Sequence, residues 1–107
     1  GHFIDKILGI RNIMVTTVKM VLNNGQMIEL LDFKKHKRGL VPREINDIGP
    51  THLAFTVTNL EKIYNEYIQD GIMFISEPAT SLDGHVKVAF CKAPEGTYIE
   101  LVEILKE

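Results

Sequence analysis

One short motif occurs twice in this chain. Residues 25–30 read Gly-Gln-Met-Ile-Glu-Leu and residues 96–101 read Gly-Thr-Tyr-Ile-Glu-Leu, so glycine, isoleucine, glutamate and leucine recur in the same places. A glycine that we expect to end a helix precedes each copy, as Gly9 and as Gly71. Such internal similarity is typical of a duplicated structural unit, whose two copies must accept the same order of strands and helices. We therefore expect two related modules.

The second half begins with the pattern of a strand followed by a helix. Residues 52–58 alternate between apolar and more polar side chains, which predicts a strand with one buried face and places His52 on the other face. Residues 60–68 carry apolar side chains at helical spacing, which predicts an amphipathic helix. Thr58 and Glu61 have the spacing of a capping box at its start.

Three further strands are predicted after this helix, at residues 72–76, 85–92 and 97–104. In the last of them Ile99 and Leu101 share one face. Glu100 lies on the opposite face, because side chains alternate along a strand. A strand, a helix and three strands therefore make a complete βαβββ module over residues 48–107.

The first half contains only part of this order. Residues 3–8 have the pattern of a helix end, residues 10–22 that of one long or two short strands, and residues 26–33 that of a return strand after an Asn-Asn-Gly turn. We interpret residues 1–33 as an incomplete first module, truncated at its N-terminus, and residues 34–47 as a linker within one domain. A strand equivalent to the one with His52 is not found in it.

Composition limits the classes of function. Twelve basic and fourteen acidic residues give a formal charge of −2, which does not favour binding to nucleic acid or to an anionic membrane. The single cysteine, Cys91, excludes a disulfide framework within one chain. No apolar run approaches the roughly 20 residues of a membrane span, and no leader pattern stands at the start. We expect a cytoplasmic protein.

The repeat and the segment His-Leu-Ala-Phe-Thr-Val, followed by Lys-Val-Ala-Phe-Cys-Lys-Ala-Pro-Glu-Gly-Thr-Tyr-Ile-Glu-Leu-Val-Glu, resemble the vicinal oxygen chelate superfamily. This superfamily includes glyoxalase I, methylmalonyl-CoA epimerase, extradiol dioxygenases and bleomycin-resistance proteins. The resemblance implies an α+β fold in which paired βαβββ modules form a curved mixed sheet around a cleft. It also implies one divalent metal ion, with ligands on the first and last strands of each module. The positions that match are Glu29, His52 and Glu100.

Imidazole and carboxylate groups are ligands that suit Zn, Ni, Fe, Mn or Co, so the residue types agree with the implied metal. By resemblance to glyoxalase I, we expect a lyase or isomerase that acts on a small carbonyl or thiol-adduct substrate through a metal-stabilised enediolate. Glu100 is then both a ligand and the catalytic base. A homodimer is the expected assembly, because an incomplete first module leaves a sheet edge uncovered.

Three alternatives stay open at this stage. Glu29 and Glu100 also fit ordinary solvent-facing carboxylates of strands. A metal-free protein that sequesters a small molecule, as in bleomycin resistance, would use Met27, Phe33 and Tyr98 as lining. An enzyme like methylmalonyl-CoA epimerase is the third alternative.

Overall fold

The computed structural model of the protein describes residues 1–106 and contains two helices and six strands within that range. The elements, in chain order, are α1 (His2–Leu8), β1 (Val15–Val21), β2 (Met27–Phe33), β3 (His52–Thr56), α2 (Leu60–Gln69), β4 (Ala79–Thr80), β5 (Val86–Lys92) and β6 (Tyr98–Ile104). They belong to two compact units, Gly1–Gly39 and Leu40–Glu107. The boundary between the units falls inside the segment predicted as a linker.

The first unit contains a short helix and a two-stranded antiparallel hairpin. Gly9 ends α1 with a φ of 69°, a left-handed conformation that glycine adopts without steric cost, and this confirms the predicted helix end. The Asp5 carboxylate then accepts hydrogen bonds from the backbone N–H groups of Asn12 (2.9 Å) and Ile13 (3.0 Å). These two bonds order the connection from α1 to the hairpin.

The hairpin turns at the Asn-Asn-Gly segment, as the sequence predicts. Val21 pairs with Met27 next to the turn, and Gly25 there has a φ of 87°. Only one strand forms between residues 10 and 22, since β1 begins at Val15. Further along the hairpin, Lys19 lies directly opposite Glu29.

The second unit contains a four-stranded sheet in the order β3-β6-β5-β4. The strands β3 and β6 are parallel, whereas β6, β5 and β4 pair in antiparallel fashion. Together with α2 these strands make a βαβββ module, in which β4 (Ala79–Thr80) follows the segment 72–76 where the sequence predicts a strand. A helix between two neighbouring parallel strands is the connection that such a pair requires.

One face of this sheet packs against α2. Leu60 of the helix is completely buried and forms a cluster with three sheet residues, Ala89, Cys91 and Leu101. The apolar residues at alternate positions of β3 and β6, Phe55 and Ile99 among them, pack at the edge of the same cluster. The apolar half of each alternating pattern therefore forms the core, as expected.

The other face of the sheet carries the polar half of the pattern. Residues that pair across neighbouring strands point to the same side. His52 pairs with Tyr98, while Phe90 pairs with Glu100, two residues further along β6. We call this side, with His52, Phe90, Tyr98 and Glu100, the site face.

Two local predictions were wrong. Residues 72–76 do not form a strand but make a single bridge, from Phe74 to Cys91, because the backbone bends just before Pro78. The capping box of Thr58 and Glu61 is also absent from the described contacts. Asn59 is the N-cap, with a φ of 52° and no side-chain bond to the helix, and a carboxylate from β6 caps α2 instead.

Candidate active site

Two of the predicted site residues contact each other on the site face. The imidazole Nε2 of His52 lies 3.4 Å from Oε1 of Glu100. Parallel pairing of β3 with β6 sets this distance, since Glu100 is the partner of Ala54, the next residue after His52 on the same side. The two side chains are 39% and 23% exposed, so a small molecule can reach both.

Two neighbours orient the imidazole of His52. Oγ1 of Thr51 lies 3.3 Å from Nδ1, the ring nitrogen that does not face Glu100. The ring of Phe90 meets the imidazole edge to face, with 5.5 Å between ring centroids and 71° between planes. Because one ring nitrogen has a polar neighbour and the ring has an aromatic one, Nε2 is held toward Glu100.

The spacing of the pair fits two ligands of one metal ion. Zinc lies about 2.0 to 2.2 Å from imidazole nitrogen and carboxylate oxygen, so two such donors in a tetrahedral site are about 3.4 Å apart. The Nε2 to Oε1 distance has this value. Within residues 1–106, no three His, Cys, Asp or Glu side chains are grouped so that they could hold a metal ion. Among the described residues, the pair therefore supplies two suitable donors.

The third predicted ligand, Glu29, lies on β2 in the first unit. Its side chain is exposed and its cross-strand neighbour is Lys19. In the hairpin it shares a face with Met27 and Leu31, which corresponds to the face of Glu100 between Tyr98 and Val102. Its role as a ligand stays a prediction from the repeat.

Three residues near the pair, Glu44, Phe90 and Lys92, were not predicted as part of a site. The Tyr98 ring is almost completely buried, its hydroxyl lies 3.4 Å from Oε2 of Glu44, and the Lys92 ammonium lies 5.0 Å from the ring centroid. Antiparallel pairing of the last two strands would have indicated Lys92 and Phe90, because each faces a β6 residue on the site face. Glu44 belongs to a segment without periodicity, so no sequence pattern could have indicated it.

A cavity of about 370 Å³ opens beside His52. It is lined by residues 50–53 at the start of β3, by residues 95–97 of the turn before β6, and by Leu40, Val41 and Arg43. Its volume lies at the small end of the range for ligand pockets. The cavity therefore offers room for a small molecule that reaches His52.

The remaining titratable residues of interest lie elsewhere. Cys91 belongs to the core beneath α2, on the face opposite to the site face, and burial raises the pKa of its thiol. His85 lies 3.7 Å from Asp83 in a surface turn. Neither residue takes part in the His52 and Glu100 pair.

Comparison with known proteins identifies the class. The family described as Glyoxalase/Bleomycin resistance protein/Dioxygenase superfamily matches residues 5–101. The chain therefore belongs to this superfamily, and the resemblance and α+β fold predicted from the sequence are confirmed. No protein of curated function matched the chain.

Solved structures agree with this fold. A glyoxalase family protein from Bacillus cereus superposes with a TM-score of 0.87 at 21% identity, and the match covers 99% of this chain and 72% of that one. A virulence protein from Salmonella typhimurium gives a TM-score of 0.55 at 20% identity, covering 97% of this chain and 84% of that one. A protein from the mobile metagenome of V. Pseudocholerae gives 0.56 at 18% identity, covering 99% and 83%. At these identities the likeness concerns the fold.

The two helices were also compared with the requirements of a membrane-spanning helix. Within residues 1–106, neither helix has the length and apolar character that crossing a bilayer requires.

Proposed function

We propose that the protein is a metal-dependent lyase or isomerase that acts on a small carbonyl or thiol-adduct substrate, as glyoxalase I does. The observation that supports this most is the His52 and Glu100 pair on the site face, with 3.4 Å between Nε2 and Oε1. An imidazole and a carboxylate at this spacing suit a divalent ion such as Zn, Ni, Fe, Mn or Co. The metal, when bound by these two residues, would polarise the carbonyl of the substrate.

The side chains themselves would move the proton. A carboxylate has two oxygens, so Glu100 can contribute one to the metal and use the other as a base toward a C–H bond next to the carbonyl. The same oxygen can return the proton to the neighbouring carbon, and the hydroxyl proton of the substrate passes to the former carbonyl oxygen, which completes the isomerisation. Phe90 and Thr51 keep His52 in place during this transfer.

Two further features belong to the proposal. Glu29 would be the third ligand, since it occupies the position in the first repeat that Glu100 occupies in the second. A homodimer would be the assembly, and its support is the position of β3 at the edge of the four-stranded sheet. An edge strand has backbone hydrogen-bonding groups that another strand can pair with. The molar mass measured by light scattering tests the dimer.

Metal content tests the enzyme proposal. Protein purified without added metal is analysed for transition metals, before and after incubation with Ni²⁺ or Zn²⁺. We expect close to one ion per site in the wild type and a large loss in Glu100→Ala and His52→Ala. Glu66→Ala is a matched control, because Glu66 is exposed on α2 and lies outside the site. The same loss in Glu29→Ala would support the third ligand.

A metal-containing protein is then assayed with hemithioacetals and acyl-CoA substrates. Absence of metal in every preparation, even after incubation, would contradict the proposal. It would favour the second candidate, a metal-free protein that binds a small molecule, for which the cavity beside His52 is the supporting observation. In that case ligand affinity would not respond to chelators.

A further inference from the structure

The exposed guanidinium group of Arg43 is hydrogen-bonded to the backbone of its own loop. Its Nη2 donates a hydrogen bond of 2.6 Å to the carbonyl oxygen of Ile48. The next residue, Gly49, has a φ of 110°, and a Cβ atom there would lie only 2.9 Å from Nη2. The backbone conformation at this position favours glycine, and a side chain there would require the end of the Arg43 side chain to shift.

Arg43 keeps most of its donors available. A guanidinium has five N–H donors, and the Ile48 carbonyl uses only one side of the fork. Among residues 1–106, no carboxylate lies within ion-pair distance of Arg43. The free N–H groups of a guanidinium match the two oxygens of a carboxylate.

Arg43 and His52 line the same cavity of about 370 Å³. The apolar lining residues include Leu40, Val41 and Leu53. Of the described residues that line it, Arg43 and His52 are the two with basic side chains. Glu95 also lines the cavity, and its negative charge opposes that of Arg43. A ligand in this cavity therefore meets one guanidinium, one carboxylate and an apolar wall.

We propose that Arg43 makes this cavity a subsite for the carboxylate of the substrate, so that the substrate is a small acid with a second carbonyl group. This inference rests on the proposed function, because it assumes that the carbonyl group reacts at His52 and Glu100. A single guanidinium in a cavity that Glu95 also lines favours a singly charged carboxylate over a phosphate with nearly two charges. The apolar wall favours a short hydrocarbon or aryl part between the two groups.

Direct binding of 4-oxo-4-phenylbutanoate and of its primary amide tests this subsite by calorimetry. The two probes differ in charge at one end and share the ketone and the ring. We expect the wild type to bind the acid about tenfold more tightly than the amide, since hydrogen bonds to charged groups are stronger than neutral ones. Arg43→Gln should lose this preference while its affinity for the amide stays the same. Arg43→Lys should keep part of it, because lysine retains the charge and lacks the fork.

Two controls identify the cause. Lys62→Gln removes the same charge from an exposed position on α2 and should retain the full preference for the acid. Glu95→Gln removes the opposing charge and should bind the acid several-fold more tightly. Equal binding of acid and amide by the wild type, or no binding of the acid at millimolar concentration, would overturn the inference. An equal loss of both probes in Arg43→Gln would also overturn it, because it would show a structural role alone.

The binding measurement separates this inference from the proposed function. It is made with and without Zn²⁺, and it needs no turnover. A charge preference that depends on Arg43, in a protein that retains no metal, would support the subsite and contradict the enzyme. Metal retention without a preference for the acid would contradict the subsite and would support the metal-dependent enzyme.

Discussion

The backbone N–H of Leu60 donates a hydrogen bond of 2.9 Å to the side-chain carboxylate of Glu103, which lies 43 residues further along the chain. The last strand thus caps the first turn of α2. The N-terminus of a helix carries unpaired N–H groups and a partial positive charge, and a carboxylate satisfies both. The bond also fixes α2 to the sheet at the residue that is most deeply buried in the core.

Glu103→Ala should lower the free energy of unfolding by about 1 to 2 kcal/mol, the usual cost of losing a helix cap. Glu103→Gln should cost less, because the amide oxygen can still accept the hydrogen bond. Urea denaturation followed by circular dichroism measures both. Glu66→Ala, on the exposed part of the same helix, should change the free energy by much less. A loss in Glu103→Ala no larger than this control would contradict the cap.

Leu60→Ala should be the more severe change in this region. Leu60 is the largest side chain that is completely buried among the described residues. Removing its three outer carbons leaves a cavity against Ala89, Cys91 and Leu101, so we expect a loss of about 3 to 5 kcal/mol. Ile68→Ala on the same helix is the control, because Ile68 is 45% exposed and should lose clearly less. Equal losses in the two variants would show that the core is not where the structure places it.

Acid should release the connection between α1 and the hairpin. The hydrogen bond from the N–H of Ile13, together with that from Asn12, lowers the pKa of Asp5. A carboxyl group whose pKa is lowered by folding stabilises the fold above its unfolded-state pKa. This stabilisation is lost as the pH falls through the folded-state pKa. Amide chemical shifts of Asn12 and Ile13 should therefore titrate together below the usual Asp range.

The Asp5→Asn variant provides the matched comparison for that titration. The asparagine side chain has one acceptor oxygen where the carboxylate has two, and it does not titrate. The two amide shifts should therefore stay constant across the acid range. Shifts that move equally in the variant and in the wild type would assign the transition to another group.

Cys91 should react slowly with alkylating agents in the folded protein. Burial raises the pKa of its thiol, and the thiolate is the reactive form. Iodoacetamide at mild alkaline pH should therefore modify the native protein more than about tenfold more slowly than the urea-unfolded protein. Because the unfolded state releases this proton first, stability should also decrease as the pH rises above the unfolded-state pKa. Rapid alkylation of the native protein would contradict the position of Cys91 in the core.

The sequence predicted those parts of the fold that depend on alternation and on glycine. The period of two in β3 and β6 correctly separated Leu101 from Glu100 and placed His52 on the same face as Glu100. Gly9 correctly marked the end of α1. These features depend on the backbone preference of single residues and on the spacing of apolar side chains. A single sequence shows both the glycines and the apolar spacing.

The parts that were missed depend on tertiary structure. Thr58 has the spacing of a cap, but the cap comes from Glu103, whose distance in sequence no local pattern can reveal. Arg43 and Glu44 lie in a segment without regular structure, so only the folded chain places them beside the site face. The ligand role of Glu29 rests on the family resemblance and on the repeat, and it stays a prediction.

The parallel pairing of β3 with β6 links the stability of the fold to the binding of an ion. His52 stands near the start of the second unit and Glu100 near its end, so the pair exists only when the whole unit is folded. Any ion that binds the pair would therefore bind the native state and not the unfolded chain. At 100 times its dissociation constant, such an ion would stabilise the fold by about 2.7 kcal/mol. The melting temperature of the protein would then rise with the concentration of free metal.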